Sequence, residues 1–153
     1  MSDIKTIWDV PNSRGDWIMA GAQLASGDDL QTAVLISLFT DRLAAADDEI
    51  PDGTQNRRGW WADQQPDGNV DLIGSRLWLI DRRVSPTTKT LNDAQNYAKE
   101  ALQWLIDDGV AASIDVAASW NAPNFLALVV TINQTDGTKP VSFRFQLLWE
   151  QLI

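Results

Sequence analysis

The run from Thr88 to Asp108 constrains this chain more than any other stretch, because its apolar residues repeat with the period of a helix. Leu91, Ala94, Ala98, Ala101, Leu102, Leu105 and Ile106 recur at three- and four-residue spacings, which places them on one stripe. Thr90 with Asp93 has the form of a capping pair, and Gly109 supplies the stop. Asp107 and Asp108 fall at the helix end that disfavours carboxylates, by about 0.3–1 kcal/mol each. Either an arginine from elsewhere relieves them or they stand in water. A one-striped helix needs a second layer, and the sequence beyond it supplies strands. Ile114, Val116, Ala118 and Trp120 alternate with Ser113, Asp115 and Ser119, and NAPN makes a turn. Phe125 to Ile132 is apolar on both faces, as a central strand is, and TDGT makes the next turn. Val141, Phe143, Phe145, Leu147 and Trp149 then point one way, and Ser142, Arg144, Gln146 and Glu150 the other. The expected fold class is α+β: a small antiparallel sheet, formed by a C-terminal three-stranded meander, packed against one long helix (about 88–108), plus a shorter N-terminal helix.

Before the long helix the pattern is less regular. Residues 1–15, with Ile4, Ile7, Trp8 and Val10 ahead of PNSRG, read as an N-terminal arm or short strand, and residues 16–153 as a single domain. DWIMAGAQL reads as a short extended segment bent at Gly21. Asp28 or Asp29 can then cap a helix that buries Leu30, Val34, Leu38 and Ala33. AVLISLFT also alternates, and a strand with Val34, Ile36 and Leu38 on one side is the alternative. AAADDEIPDGTQN is a surface loop, and GSRLWLIDRRV a short helix or strand packing Leu77, Leu79 and Ile80 and ended by Ser85-Pro86.

The loop opens into RRGWWADQQPDGNVDLIGSRLWLIDRR, Arg57 to Arg83, which holds five of the eight arginines and three of the eight tryptophans. Trp and Arg are the types enriched at the anchoring points of interfaces. They also stack on each other within one monomer. Arg57, Arg58, Trp60, Trp61, Asp63, Arg76 and Trp78 are therefore interface candidates, with Arg57, Arg58, Trp60, Trp61, Arg76 and Trp78 expected in one cluster beside the long helix. Val141, Phe143 and Phe145 join them for a different reason. The last strand of a meander exposes a row of unpaired backbone groups, and this one carries no proline and only Arg144 as an internal charge. Pairing of that edge with the N-terminal segment is the alternative.

Composition narrows the chemistry. A net charge of -9 disfavours nucleic acid and anionic membrane surfaces. The absence of cysteine and histidine removes thiol nucleophiles, zinc–thiolate sites and the usual triad base. No signal peptide and no 18-residue apolar run is visible, so a soluble protein made in a cytosol is expected. No cofactor and no metal is expected. The remaining enzyme reading is a carboxylate glycosidase, with Asp63, Asp71 or Asp81 beside Trp60, Trp61 and Trp78. Nothing in the sequence marks any of these acids as buried, which an acid catalyst needs.

Four stretches, TAVLISLFTDR (Thr32 to Arg42), RRGWW followed by Asp63, GSRLWL (Gly74 to Leu79) and AKEALQWLIDDGVA (Ala98 to Ala111), resemble in order the phage Mu gene-product forty-six family of tail baseplate proteins. Similarity to sheath-initiating wedge proteins of contractile tails is weaker. The resemblance implies a non-enzymatic inner-baseplate component of the virion tail, assembled in the host cytoplasm, whose partners are other wedge proteins and the tail sheath. A generic adaptor domain is the remaining alternative. The wedge relatives carry a Glu-Pro-Arg element just after the long helix. Asp108, Gly109 and Val110 stand there in this chain, so its contacts do not carry over.

Overall fold

The computed structural model describes residues 3–64, 72–80, 87–122 and 125–148. Its elements are β1 (Thr6–Asp9), β2 (Arg14–Trp17), β3 (Met19–Ala20), β4 (Gln23–Leu24), α1 (Asp29–Phe39), 3₁₀ turns at Trp61–Gln64 and Leu77–Leu79, α2 (Thr88–Asp107), β5 (Ala111–Ala122), β6 (Phe125–Gln134) and β7 (Val141–Leu148). The α+β class expected from the periodicities is the one observed, two helices with a C-terminal antiparallel meander in the order β5-β6-β7.

α2 buries Ala94, Ala98, Ala101, Leu102 and Leu105 against β5, with Leu91 and Ile106 partly covered. Its cap lies one turn earlier than the sequence suggested. The Thr87 side chain accepts from the Thr90 backbone N–H at 3.2 Å, while Asp93 pairs with Lys89 at 2.9 Å. At the other end Gly109, at φ 74°, turns the chain so that Val110 N–H donates to Leu105 O at 2.9 Å and Gly109 N–H to Ile106 O at 3.0 Å. These two bonds satisfy orphan carbonyls of the last turn. Asp107 accepts from Gln103 Nε2 at 3.1 Å, and among the described residues no arginine pairs with Asp107 or Asp108.

The sheet presents one covered face. Val116, Val130 and Phe143 are in register across it, as are Ala118, Leu128 and Phe145. Leu128, Val130 and Ile132 are fully buried, each contributing about 1.5–3 kcal/mol of transfer free energy. The opposite face carries Asp115, Thr131 and Ser142 in one row, with the Thr131 and Ser142 hydroxyls 2.9 Å apart. The last position of the alternation, Trp149, lies outside the described residues, as do Ser85 and Pro86.

α1 closes the core from the side. It is a helix and not the alternating strand, since Val34, Leu35 and Leu38 are buried while Ile36 is 51% exposed. Thr32 and Ser37 are buried as well, so the covered surface is wider than the stripe of Leu30, Val34, Leu38 and Ala33. Asp28 stands at its N-cap position, as the sequence allowed, but its side chain makes no cap bond. Its backbone is left-handed, at φ 54°, and its carboxylate turns away to pair with Lys5. The N-terminal residues form two small antiparallel hairpins, β1–β2 and β3–β4, fastened to α1 where Thr6 N–H donates to Thr32 Oγ1 at 3.2 Å and Thr32 Oγ1 donates to Ile4 O.

Candidate protein-protein interface

Segment 40–44, which leaves α1, is the place where motifs far apart in sequence meet. Ser75 forms a parallel bridge with Asp41: its N–H donates to Thr40 O at 2.9 Å and its carbonyl accepts from Arg42 N–H at 3.0 Å. The Ser75 hydroxyl donates to Leu38 O. On the other flank Ala44 N–H donates to Arg57 O at 3.0 Å. Two glycines make this packing possible. Gly74 has φ 95°, and a Cβ there would stand 2.3 Å from the Thr40 carbonyl oxygen. At Gly59, φ 94°, a Cβ would stand 2.8 Å from Leu43 Cβ. Both conformations and both contacts exclude a side chain. The glycines of RRGWW and GSRLWL are therefore the means by which these motifs press on the same strip of backbone.

Arginines and one tryptophan lock the junction. Arg57 donates through its two terminal guanidinium nitrogens, Nη1 to the Ala45 carbonyl and Nη2 to the Ala46 carbonyl. Arg58, itself at φ 51°, pairs with Asp41 at 2.7 Å and lies 4.5 Å above the Trp78 ring. Trp78 is buried with Ala44 and Leu79 and donates its Nε1–H to Arg42 O at 2.8 Å. Arg76 bridges to the long helix: it donates to Asp48 at 3.0 Å and to Glu100 at 2.9 Å and covers the Tyr97 ring at 4.6 Å. Burial alone would lower the Arg76 pKa, but the hydrogen bonds to Glu100 and Asp48 outweigh it and hold the guanidinium above its ordinary value. Trp104 of α2 donates to Ser37 Oγ of α1 at 3.0 Å, so the fourth motif joins the same assembly.

The structure thus brings together Arg57, Arg58, Arg76 and Trp78, and it leaves Trp60 and Trp61 outside. These two rings lie 5.3 Å apart, and Trp61 is 73% exposed. Asp63, on the 3₁₀ turn they open, is buried, contrary to what the sequence signalled. Its Oδ2 accepts from Ile73 N–H at 3.3 Å, and its Oδ1 has no hydrogen-bond partner among the described residues. Asp71 and Asp81, the other acids of the glycosidase reading, lie outside the described residues, as do Arg82 and Arg83. Among the described residues no cluster of acids could hold a metal ion.

Val141, Phe143 and Phe145 turn their side chains inward. Phe145 is fully buried, with Phe39 and Trp8 against it edge-on at 5.4 and 6.2 Å. What β7 offers to the outside is backbone. Among the described residues its outer edge pairs with no strand. β1 pairs with β2 instead, and it touches that edge through Trp8, which stacks on Phe39 at 4.0 Å and donates Nε1–H to Gln146 O at 2.9 Å. Since the Gln146 carbonyl points outward, the alternation of an antiparallel ladder makes Arg144 and Ser142 the other outward-facing positions. Gly59, Gly74 and Trp8 were not singled out as site residues from sequence. The glycines inside two motifs otherwise made of large side chains were the available signal.

The junction of arginine, tryptophan and glycine, the exposed Trp60–Trp61 pair and the β7 edge that no strand pairs with among the described residues are the candidate surfaces of this α+β protein. The chain belongs to the phage protein GP46 family, whose model matches residues 30–139. It is 43% identical over 138 residues to a baseplate protein gp46 of Escherichia phage Mu, covering 90% of this chain and 91% of that one. It is 39% identical over 145 residues to a Mu-like prophage FluMu protein gp46 of Haemophilus influenzae, covering 94% and 96%.

Proposed function

We propose that the protein is a non-enzymatic structural component of a contractile phage tail baseplate, contacting neighbouring wedge proteins and, through the outer edge of β7, the first ring of sheath. The observation that carries this reading is identity at 43% to a baseplate protein over nine tenths of both chains. The β7 edge, which no strand pairs with among the described residues, and the exposed Trp60–Trp61 pair support it, because strand edges and exposed aromatics are surfaces that other chains cover. Deleting the gene from its phage is expected to give lysates without complete contractile tails, and the protein itself is expected in purified tails by immunoblot. Complete tails from the deletion, or tails lacking the protein, would overturn the assembly role. The purified protein is expected to release nothing from peptidoglycan, and release abolished by Asp63→Asn would overturn the non-enzymatic reading.

The sheath contact has its own test. Proline at Phe145 would break an internal ladder bond and remove a core ring, so it reports on the fold. Arg144→Pro deletes only an outward N–H, a position where edge strands tolerate proline. The Arg144 variant is expected to melt near wild type and to give baseplates that recruit no sheath. Normal contractile sheath on particles carrying it would sink the edge contact.

A further inference from the structure

A groove of about 570 Å³ lies between β2 and the C-terminal half of α1. Buried Leu35 and half-buried Phe39 belong to its lining, together with two large apolar side chains left in water, Trp17 at 63% and Ile36 at 51% exposure. The Trp17 indole makes no hydrogen bond among the described residues. Met19 and Leu24, opposite each other in β3–β4, are exposed too. Two-stranded hairpins are marginal in water and gain their stability from what they pack on. Trp8 of β1 packs on the core, but every residue of β2, β3 and β4 is exposed, so Trp17, Met19 and Leu24 contribute little to it. That is the signature of a surface another chain covers.

Charge decides the kind of chain. Over residues 3–29, Asp3, Asp9, Asp16, Asp28 and Asp29 outnumber Lys5 and Arg14, and Asp16 stands in the groove wall itself. A second copy would bring the same acids and a net charge of -9 against them, which disfavours self-association. We infer that the groove seats an apolar side chain flanked by lysine or arginine from a chemically different tail protein, a site separate from the β7 edge and one that rests on the tail-assembly reading above.

The test uses purified tails of the phage that encodes this chain. Hydroxyl-radical oxidation of Trp17 is compared between free protein and tails, and a carbodiimide joins carboxylates to amines in contact. Expected are a roughly fivefold lower oxidation in tails, since the centre of an interface packs like a protein interior, and an amide between Asp16 and a lysine of a different protein. Trp17 equally reactive in both, or an amide from Asp16 to a second copy of this chain, overturns the inference while leaving the assembly role standing. Absence of the chain from tails overturns both. A doubly substituted Trp17→Ser, Ile36→Ser protein should melt like wild type, both side chains being exposed. Co-produced with wild type it should be under-represented in tails by roughly tenfold, about 1.4 kcal/mol. An equal share overturns the inference.

Discussion

Arg76→Ala tests whether the junction is held by charge as well as by packing. The Asp48 carboxylate, 13% exposed, loses its partner, and charge-assisted hydrogen bonds of this kind contribute about 1.5 kcal/mol at the lower end of their range. Asp48 keeps the Ala45 N–H at 2.8 Å, so the lower end applies. Glu100 is 37% exposed, and solvent screening reduces its leg to about 0.5 kcal/mol. The guanidinium over the Tyr97 ring adds about 0.5–1 kcal/mol. Removing all three is expected to cost about 2.5–3 kcal/mol, or about 5–12 °C in Tm for a chain of this size. Urea and thermal unfolding measure it. Arg76→Lys keeps a point charge but loses the planar fork and should recover less than half of the loss. In double-mutant cycles the coupling to Asp48→Asn should be about 1 kcal/mol or more and exceed that to Glu100→Gln. An alanine variant within about 0.5 kcal/mol of wild type, or a larger coupling to Glu100, would refute the reasoning.

Gly74→Ala drives a Cβ into the Thr40 carbonyl at a positive φ and should cost about 3–5 kcal/mol, seen as loss of soluble protein or a collapsed urea midpoint. Gly137→Ala, with positive φ but open space around it, should cost only about 1 kcal/mol. Trp8→Phe keeps an aromatic ring for stacking on Phe39 but deletes the bond to Gln146 O, and about 1 kcal/mol should be lost in the same assay. The Asp136 carboxylate is held below its ordinary 3.8 by the Thr138 backbone N–H and then by the Thr138 hydroxyl. A lowered folded pKa gives stability that is present above the unfolded value and lost as pH falls through the folded one. Carboxyl NMR titration should therefore place the Asp136 midpoint below 3.8, and a midpoint at or above it contradicts the turn geometry.

The elements legible in the sequence were those whose signal is local. α2 and the meander each cover one face, and a covered face writes its own period, 3.6 or 2, into neighbouring residues. α1 was ambiguous because its core-facing surface is wide, so that Thr32, Leu35 and Ser37 break the stripe that a helix with one neighbour would show. The start of α2 at Thr88 is legible, but its capping residue is not, because TTKT offers several hydroxyls and only burial distinguishes Thr90 in the core from Thr87 at the cap. The junction at 40–44 was invisible as a junction. Its contacts join residues 11 to 37 positions apart, and nothing in a local window reports that Gly59 and Gly74 face the same strip.

The unusual abundance of arginine and tryptophan has two causes that exposure separates. Arg57, Arg58, Arg76 and Trp78 bind carbonyls, carboxylates and rings of their own chain, where long loops would otherwise leave backbone groups unsatisfied. For them the intramolecular reading made from residue types is the one the geometry supports. Trp17, Trp60 and Trp61 are exposed, and among the described residues their rings form no hydrogen bond and no ring contact beyond that between Trp60 and Trp61. Substituting the first group should therefore destabilise the fold before it affects any partner, and substituting the second should weaken assembly of a protein that still melts normally. Interface mapping by alanine substitution has to begin with the second group, because loss of assembly from the first would report only on folding.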